Sequence, residues 1–123
     1  MTSGKPHIFI VDDDLSFGKS LARLLRVRGY HAEAFSSAGT FLDSVSPDQR
    51  GVVVLDLHMP ECDGFYLFEK MKEHHFQMPV IFTTGQAQAD ERCLALHRGA
   101  LGFLIKPFRE ESLLELLSGD EPR

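Results

Sequence analysis

Residues 51–56 read Gly-Val-Val-Val-Leu-Asp. The consecutive β-branched and apolar side chains favour extended backbone. They do not alternate with polar ones, so the strand they form is covered on both faces. Similar runs recur at residues 7–11 (His-Ile-Phe-Ile-Val), 79–83 (Pro-Val-Ile-Phe-Thr) and 101–105 (Leu-Gly-Phe-Leu-Ile), with a weaker one at 30–35. Helical patterns separate them. After the first run, Phe17, Leu21, Leu24, Leu25 and Arg28 share one side, Gly29 is a stop, and Asp13 or Asp14 can cap the start. Ser36-Ser37 caps a helix carrying Phe41, Leu42 and Val45, which Ser46-Pro47-Asp48 ends. Asp63-Gly64 opens a third, with Phe65, Leu67, Phe68 and Met71 near its apolar face. The pattern predicts a fourth helix over 87–98, closed by Gly99, and a fifth over 109–117. Strict alternation with short connections predicts an α/β domain, a parallel sheet with helices on both faces.

The chain length, 123 residues, suits one domain, and a hydrophobic fraction of 43% is enough for a core. A net charge of -5 argues against direct contact with nucleic acid, which a basic surface would serve. No apolar stretch approaches the roughly 20 residues of a membrane span, and the first residues lack the apolar core of a secretory signal. Cys62 and Cys93 are isolated and read as free thiols in a reducing, cytoplasmic compartment. The reading is one domain over 7–118, with 119–123 a frayed tail or the start of a linker.

In a sheet of this kind the ligand lies beyond the carboxyl ends of the strands, where the strand order reverses. Those ends carry Asp12 and Asp13, Asp56, Thr84 and Lys106. Carboxylates crowded in one pocket repel, and an oxygen-loving divalent cation offsets them; Mg²⁺ typically takes one or two carboxylates plus waters and substrate oxygens. Lys106 suits a phosphoryl oxygen, Thr84 adds a hydroxyl, and a carboxylate can itself be a nucleophile that becomes an aspartyl phosphate. Asp56, on the most rigid strand, is the candidate acceptor. Each residue also has a plainer reading. Asp12 to Asp14 can be a helix cap, Asp56 a turn residue, Thr84 structural and Lys106 a loop residue. The specificity lies in the set.

These segments resemble the response-regulator receiver domain of two-component signalling. The likeness rests on Ile10-Val11-Asp12-Asp13-Asp14, on Leu55-Asp56-Leu57-His58-Met59-Pro60 with Asp63-Gly64, on Pro79 through Gly85, and on Gly99-Ala100 followed by Phe103-Leu104-Ile105-Lys106-Pro107-Phe108. It implies a flavodoxin-like (βα)5 doubly wound sheet of strand order 2-1-3-4-5. It implies that Asp56 accepts a phosphoryl group from a sensor histidine kinase or phosphotransfer protein, with no turnover of any other substrate. Asp13 would bind Mg²⁺ directly (Mn²⁺ able to replace it) and Asp12 partly through water, with Asp56 and the backbone carbonyl of His58 completing the set. Lys106 would pair with Asp56 and then with the phosphoryl group. Thr84 would swing toward that group while Phe103, the switch aromatic, turns inward. The Lys106–Pro107 bond would be cis. The output surface would be the fourth helix, fifth strand and fifth helix, also a candidate homodimer face; Arg92, Leu96 and His97 would lie outward, as part of that face or equally of a solvated surface.

Phe35-Ser36-Ser37-Ala38, Phe41-Leu42 and Thr84-Gly85 resemble receivers that precede a helix-turn-helix DNA-binding domain. The expectation is a truncated transcriptional regulator, with a stand-alone receiver as the alternative. Gln86-Ala87-Gln88-Ala89 replaces a His-Gly type stretch, and His58 stands two residues after the acceptor, where either its carbonyl alone matters or its imidazole affects phosphoryl lifetime. A haloacid-dehalogenase-like phosphatase needs a second Asp at that place, and His58 occupies it. A flavin module needs a Ser/Thr/Gly-rich phosphate loop after the first strand, and here that loop is acidic. A receiver that never uses phosphate would have no need of an intact pocket.

Overall fold

The computed structural model describes residues 5–119. Five parallel strands form the main sheet: β1 (His7–Val11), β2 (His31–Phe35), β3 (Val52–Asp56), β4 (Val80–Thr84) and β5 (Gly102–Ile105). Their spatial order is β2-β1-β3-β4-β5, as the sequence led us to expect. The helices are α1 (Leu15–Val27), α2 (Ala38–Ser44), α3 (Gly64–Glu73), α4 (Glu91–His97) and α5 (Glu110–Gly119). Among the described residues no helix is long and apolar enough to cross a membrane. Residues 120–123, part of the expected tail, lie outside the described residues.

Burial on both faces follows from strand alternation. Val53 and Leu55 point into one apolar layer with Phe41, Leu67 and Phe82; Val52 and Val54 point into the other with Ile8, Leu25 and Leu113. All of these are essentially inaccessible to solvent. At roughly 1.5–3 kcal/mol for each large apolar side chain, this double layer is the main source of stability. β2, at an edge, shows the alternation of a strand only partly covered.

The helix caps are local. Asp14, not Asp13, caps α1, accepting the Phe17 N–H at 3.1 Å. Ser37 caps α2 and Asp63 caps α3. Gly29, with φ 95°, ends α1 in the left-handed region that glycine tolerates best.

Two expectations need correction. The 87–98 helix is really Glu91–His97. Residues 85–90 are exposed and offer no apolar side chain to the core, and Asp90 breaks the helix with φ 68°. The Met59-Pro60 stretch is more than a break. It turns a short antiparallel hairpin, His58–Met59 with Cys62–Asp63.

That hairpin returns the chain to Gly64, whose N–H donates to Leu57 O at 2.8 Å. A Cβ at Gly64 would lie 2.8 Å from Leu57 Cα and 2.9 Å from Asp56 O, both backbone atoms. Glycine is therefore required by close approach, and the contact fixes the end of β3. Gly64→Ala is expected to cost about 1–3 kcal/mol, the usual range for overpacking, measured by chemical denaturation.

Candidate functional site

Two strand ends build an acidic pocket. Asp12 follows β1, Asp56 ends β3, and oxygen atoms of Asp12, Asp13 and Asp56 all lie within 4.8 Å of one another. Asp12 and Asp56 are buried, at 2% and 5% exposure, while Asp13 is open to solvent. Asp12 is held by its surroundings. Its N–H donates to Phe35 O at 3.0 Å, and its Oδ1 accepts the Asp14 N–H at 2.9 Å. Asp56 Oδ1 accepts the N–H of His58 at 3.2 Å.

Lys106 enters from beyond β5. Its backbone N–H donates to Thr84 O at 2.7 Å, and the Lys106–Pro107 peptide is cis, as the resemblance implied. Its Nζ lies 2.7 Å from Asp12 Oδ2 and 3.9 Å from Asp56 Oδ2. The amine thus leans on Asp12 rather than chiefly on Asp56, the partner the resemblance implied. The ring of Phe17 supports it there, 4.3 Å from Nζ.

This leaves Asp56 short of compensation. Burial, first of all, pushes its carboxyl up to about 6; Lys106 opposes this, Asp12 adds to it, and Asp13 adds a smaller contribution. Because the folded pKa lies above the unfolded one, the folded state binds more protons between about pH 4 and 6, and stability falls as pH rises through that window. Asp56→Asn is expected to stabilise the protein by roughly 1–3 kcal/mol at pH 8, with the gain vanishing near pH 4, where the native acid is already neutral. Urea midpoints at the two pH values check this.

The remaining expected residues lie less centrally. Thr84 is fully buried, but its hydroxyl is engaged by its own turn. It accepts the Gln86 N–H at 3.2 Å and donates to Gln86 O at 3.3 Å. Phe103, expected to turn inward on activation, is already inside at 4% exposure. The His58 imidazole pairs with Glu91, with Nε2 2.9 Å from Oε2. Arg92, Leu96 and His97 are exposed as expected, together with Leu94 and Ile105. Cys62 and Cys93 are free thiols. Burial, then the charges of Asp63 and Glu61, push the Cys62 thiol up, which disfavours the reactive thiolate.

Three contributors escape a reading by motif. Phe17 looked like helix core and instead also underlies the Lys106 amine. Glu91 looked like a mid-helix residue and is the partner of His58. Thr83 pairs in register with Asp56 and is 1% exposed, and its hydroxyl has no hydrogen-bond partner among the described residues. Strand period alone would have pointed it inward. A buried hydroxyl without a partner is costly, so Thr83→Val, nearly the same shape, is expected to raise stability by about 1 kcal/mol in thermal or urea unfolding.

An acidic pocket at the carboxyl ends of β1 and β3, with a lysine from the end of β5, is the arrangement of a receiver. The family model of the response regulator receiver domain matches residues 8–118, and the chain belongs to that family. Response regulator protein TodT of Pseudomonas putida is 40% identical over 107 residues, covering 87% of this chain and 47% of that protein. Transcriptional regulatory protein FixJ of Bradyrhizobium diazoefficiens is 34% identical over 113 residues, covering 92% of this chain and 55% of that one. The solved structure of the response regulator StyR superimposes with a TM-score of 0.85 at 38% identity, covering 94% of this chain and 58% of that one. The chain thus spans about half the length of the curated relatives it matches.

Proposed function

We propose that this receiver is a phosphorylation switch whose acceptor is Asp56. The observation that carries the reading is the cluster itself: three carboxylates within 4.8 Å, two of them buried, with one lysine amine between the buried pair. A structural role gives no reason to collect so much like charge in one place. A divalent cation does, and the donor set fits one, because hard oxygen ligands with one open to water suit Mg²⁺, with Mn²⁺ as a substitute. Asp12, Asp13 and Asp56 would hold it, with the backbone carbonyl of His58 as a further ligand. The chemistry it supplies when bound is compensation of the negative charge on the acceptor and the transferred group.

The partner is a sensor histidine kinase or a phosphotransfer protein. A carboxylate oxygen of Asp56 attacks the phosphorus of a phosphohistidine. The P–N bond breaks, and its electron pair stays with the imidazole, which takes up a proton. Asp56 must be ionised to attack, and Lys106 and a bound cation both favour that form. The product adds roughly -1.5 to -2 charge and strong acceptor oxygens. Lys106 is within reach of both buried carboxylates and turns to the new oxygens. Thr84 leaves Gln86 for the same target. Phe103, buried at 4% exposure, is the switch aromatic beside Thr84, and α4 with the loop before it responds with it.

The protein catalyses only its own phosphoryl gain and loss. Its role is cytoplasmic signal transduction, with the α4–β5–α5 face passing the state to a transcriptional output domain or to a second copy of the chain. The name of the FixJ relative and the half-length match support an output domain in the whole protein. The receiver itself makes no contact with nucleic acid.

Beryllofluoride with Mg²⁺, or acetyl phosphate with Mg²⁺, tests the reading. Amide chemical shifts in α4 and β5 are expected to move, and to stay still in Asp56→Asn or when EDTA removes the cation. Silence of the unmodified protein toward both reagents would leave a fixed interaction domain instead.

A further inference from the structure

The segment 85–90 joins β4 to α4 and is exposed along its whole length. It is nevertheless tied at both ends. At the near end, Thr84 Oγ1 holds the N–H and the carbonyl of Gln86. At the far end, Glu91 uses both carboxylate oxygens. Oε1 accepts the Gln88 N–H at 2.9 Å, and Oε2 lies 2.9 Å from His58 Nε2. The Glu91 side chain is only 14% exposed and that of His58 46%.

The helix that Glu91 begins has little else to hold its first turn. Its cap residue, Asp90, makes no side-chain cap bond, and of its residues only Ala95 is buried. Arg92 reaches Phe103 O at 3.5 Å, a long contact. The His58 end is tied more firmly. Its backbone belongs to the short hairpin, and its N–H donates to Asp56 Oδ1. A continuous path therefore runs from the acceptor carboxylate, through the His58 main chain and imidazole, to the first residue of α4. It does not pass through Thr84.

We infer that His58 and Glu91 form a strap that holds the first turn of α4 against the acceptor loop in the unphosphorylated protein. They are positioning residues: they set how readily α4 leaves this place, and neither touches the reacting atoms through its side chain. The contact requires a proton on Nε2, which makes that nitrogen the donor and Glu91 Oε2 the acceptor. Its effect on switching rests on the function proposed above; its existence as a restraint on α4 does not.

The strength follows from exposure. A half-exposed pair of this kind changes an equilibrium by about two- to fivefold. The test is a double-mutant cycle with His58→Ala, Glu91→Ala and the double variant, since Glu91→Ala also removes the Gln88 contact and only the cycle isolates the pair. Hydrogen exchange of residues 91–97 is read without any phosphoryl mimic, with β4 as internal control. Each single variant is expected to speed α4 exchange about two- to fivefold with β4 unchanged, and the double variant to add less than the product of the two. Independent effects, or an equal rise in β4, would overturn the strap. A beryllofluoride titration with Mg²⁺ then tests the consequence. Midpoints are expected at about two- to fivefold lower concentration in the variants. Unshifted midpoints in variants whose α4 is loosened would overturn the role in switching. A native chain that ignores beryllofluoride would refute the proposed function, while the exchange cycle still decides the strap.

Discussion

The amine of Lys106 sits between two buried carboxylates and leans toward one of them. At 2.7 Å from Asp12 and 3.9 Å from Asp56 it cannot fully neutralise both. Removing an ionised group from water costs several kcal/mol unless it is paired, and this pocket pairs only part of its charge. The residue left under-compensated is Asp56, whose proton affinity burial raises. The fold thus holds Asp56 in a state that gains from any added positive charge. An ordinary structural ion pair would distribute the amine to minimise that debt.

The sheet makes this imbalance possible. β1 and β3 are adjacent and in register, so Val11 pairs with Leu55 and the acids that follow lie side by side. β4 separates β3 from β5, and Lys106 must therefore reach across the end of β4, whose Thr84 carbonyl fixes its backbone. The length of a lysine side chain spans that distance, and Phe17 from α1 steadies the end of it. Gly64 completes the arrangement by letting α3 begin against the last carbonyl of β3. Apolar burial on both faces supplies the stability against which the crowded charge is maintained.

The parts of this design that repeat with strand and helix period were legible in the sequence. Unbroken apolar runs mark the central strands, and the carboxyl-end rule alone selects Asp12, Asp13, Asp56, Thr84 and Lys106. What the sequence concealed depends on three-dimensional competition. Whether Lys106 favours Asp12 or Asp56 is decided by burial and by the Phe17 ring, neither of which has a local signal. Residues 87–90 are acceptable helix formers by composition, but they have no core to face, and Asp90 takes a left-handed conformation instead. The His58–Glu91 contact spans separate elements and required that shortened helix to bring Glu91 to its first turn.

The same shortening bears on which part of the molecule can move. Stability is distributed unevenly in a fold, and elements with few buried side chains open most easily. α1 buries Gly18, Leu21, Ala22 and Leu25, and α3 buries Gly64, Leu67, Phe68 and Met71. α4 buries Ala95 alone and exposes Leu94 and Leu96. A change in charge at Asp56 is felt at every strand end around it, yet the elements with deep apolar anchors resist displacement by several kcal/mol. α4 resists by far less, and polar contacts at its two ends, His58 with Glu91 at the first residue and Lys72 with the carbonyl of the cap residue Arg98, do much of the holding. A charge-driven rearrangement worth only a few kcal/mol can shift such an element while leaving the sheet undisturbed.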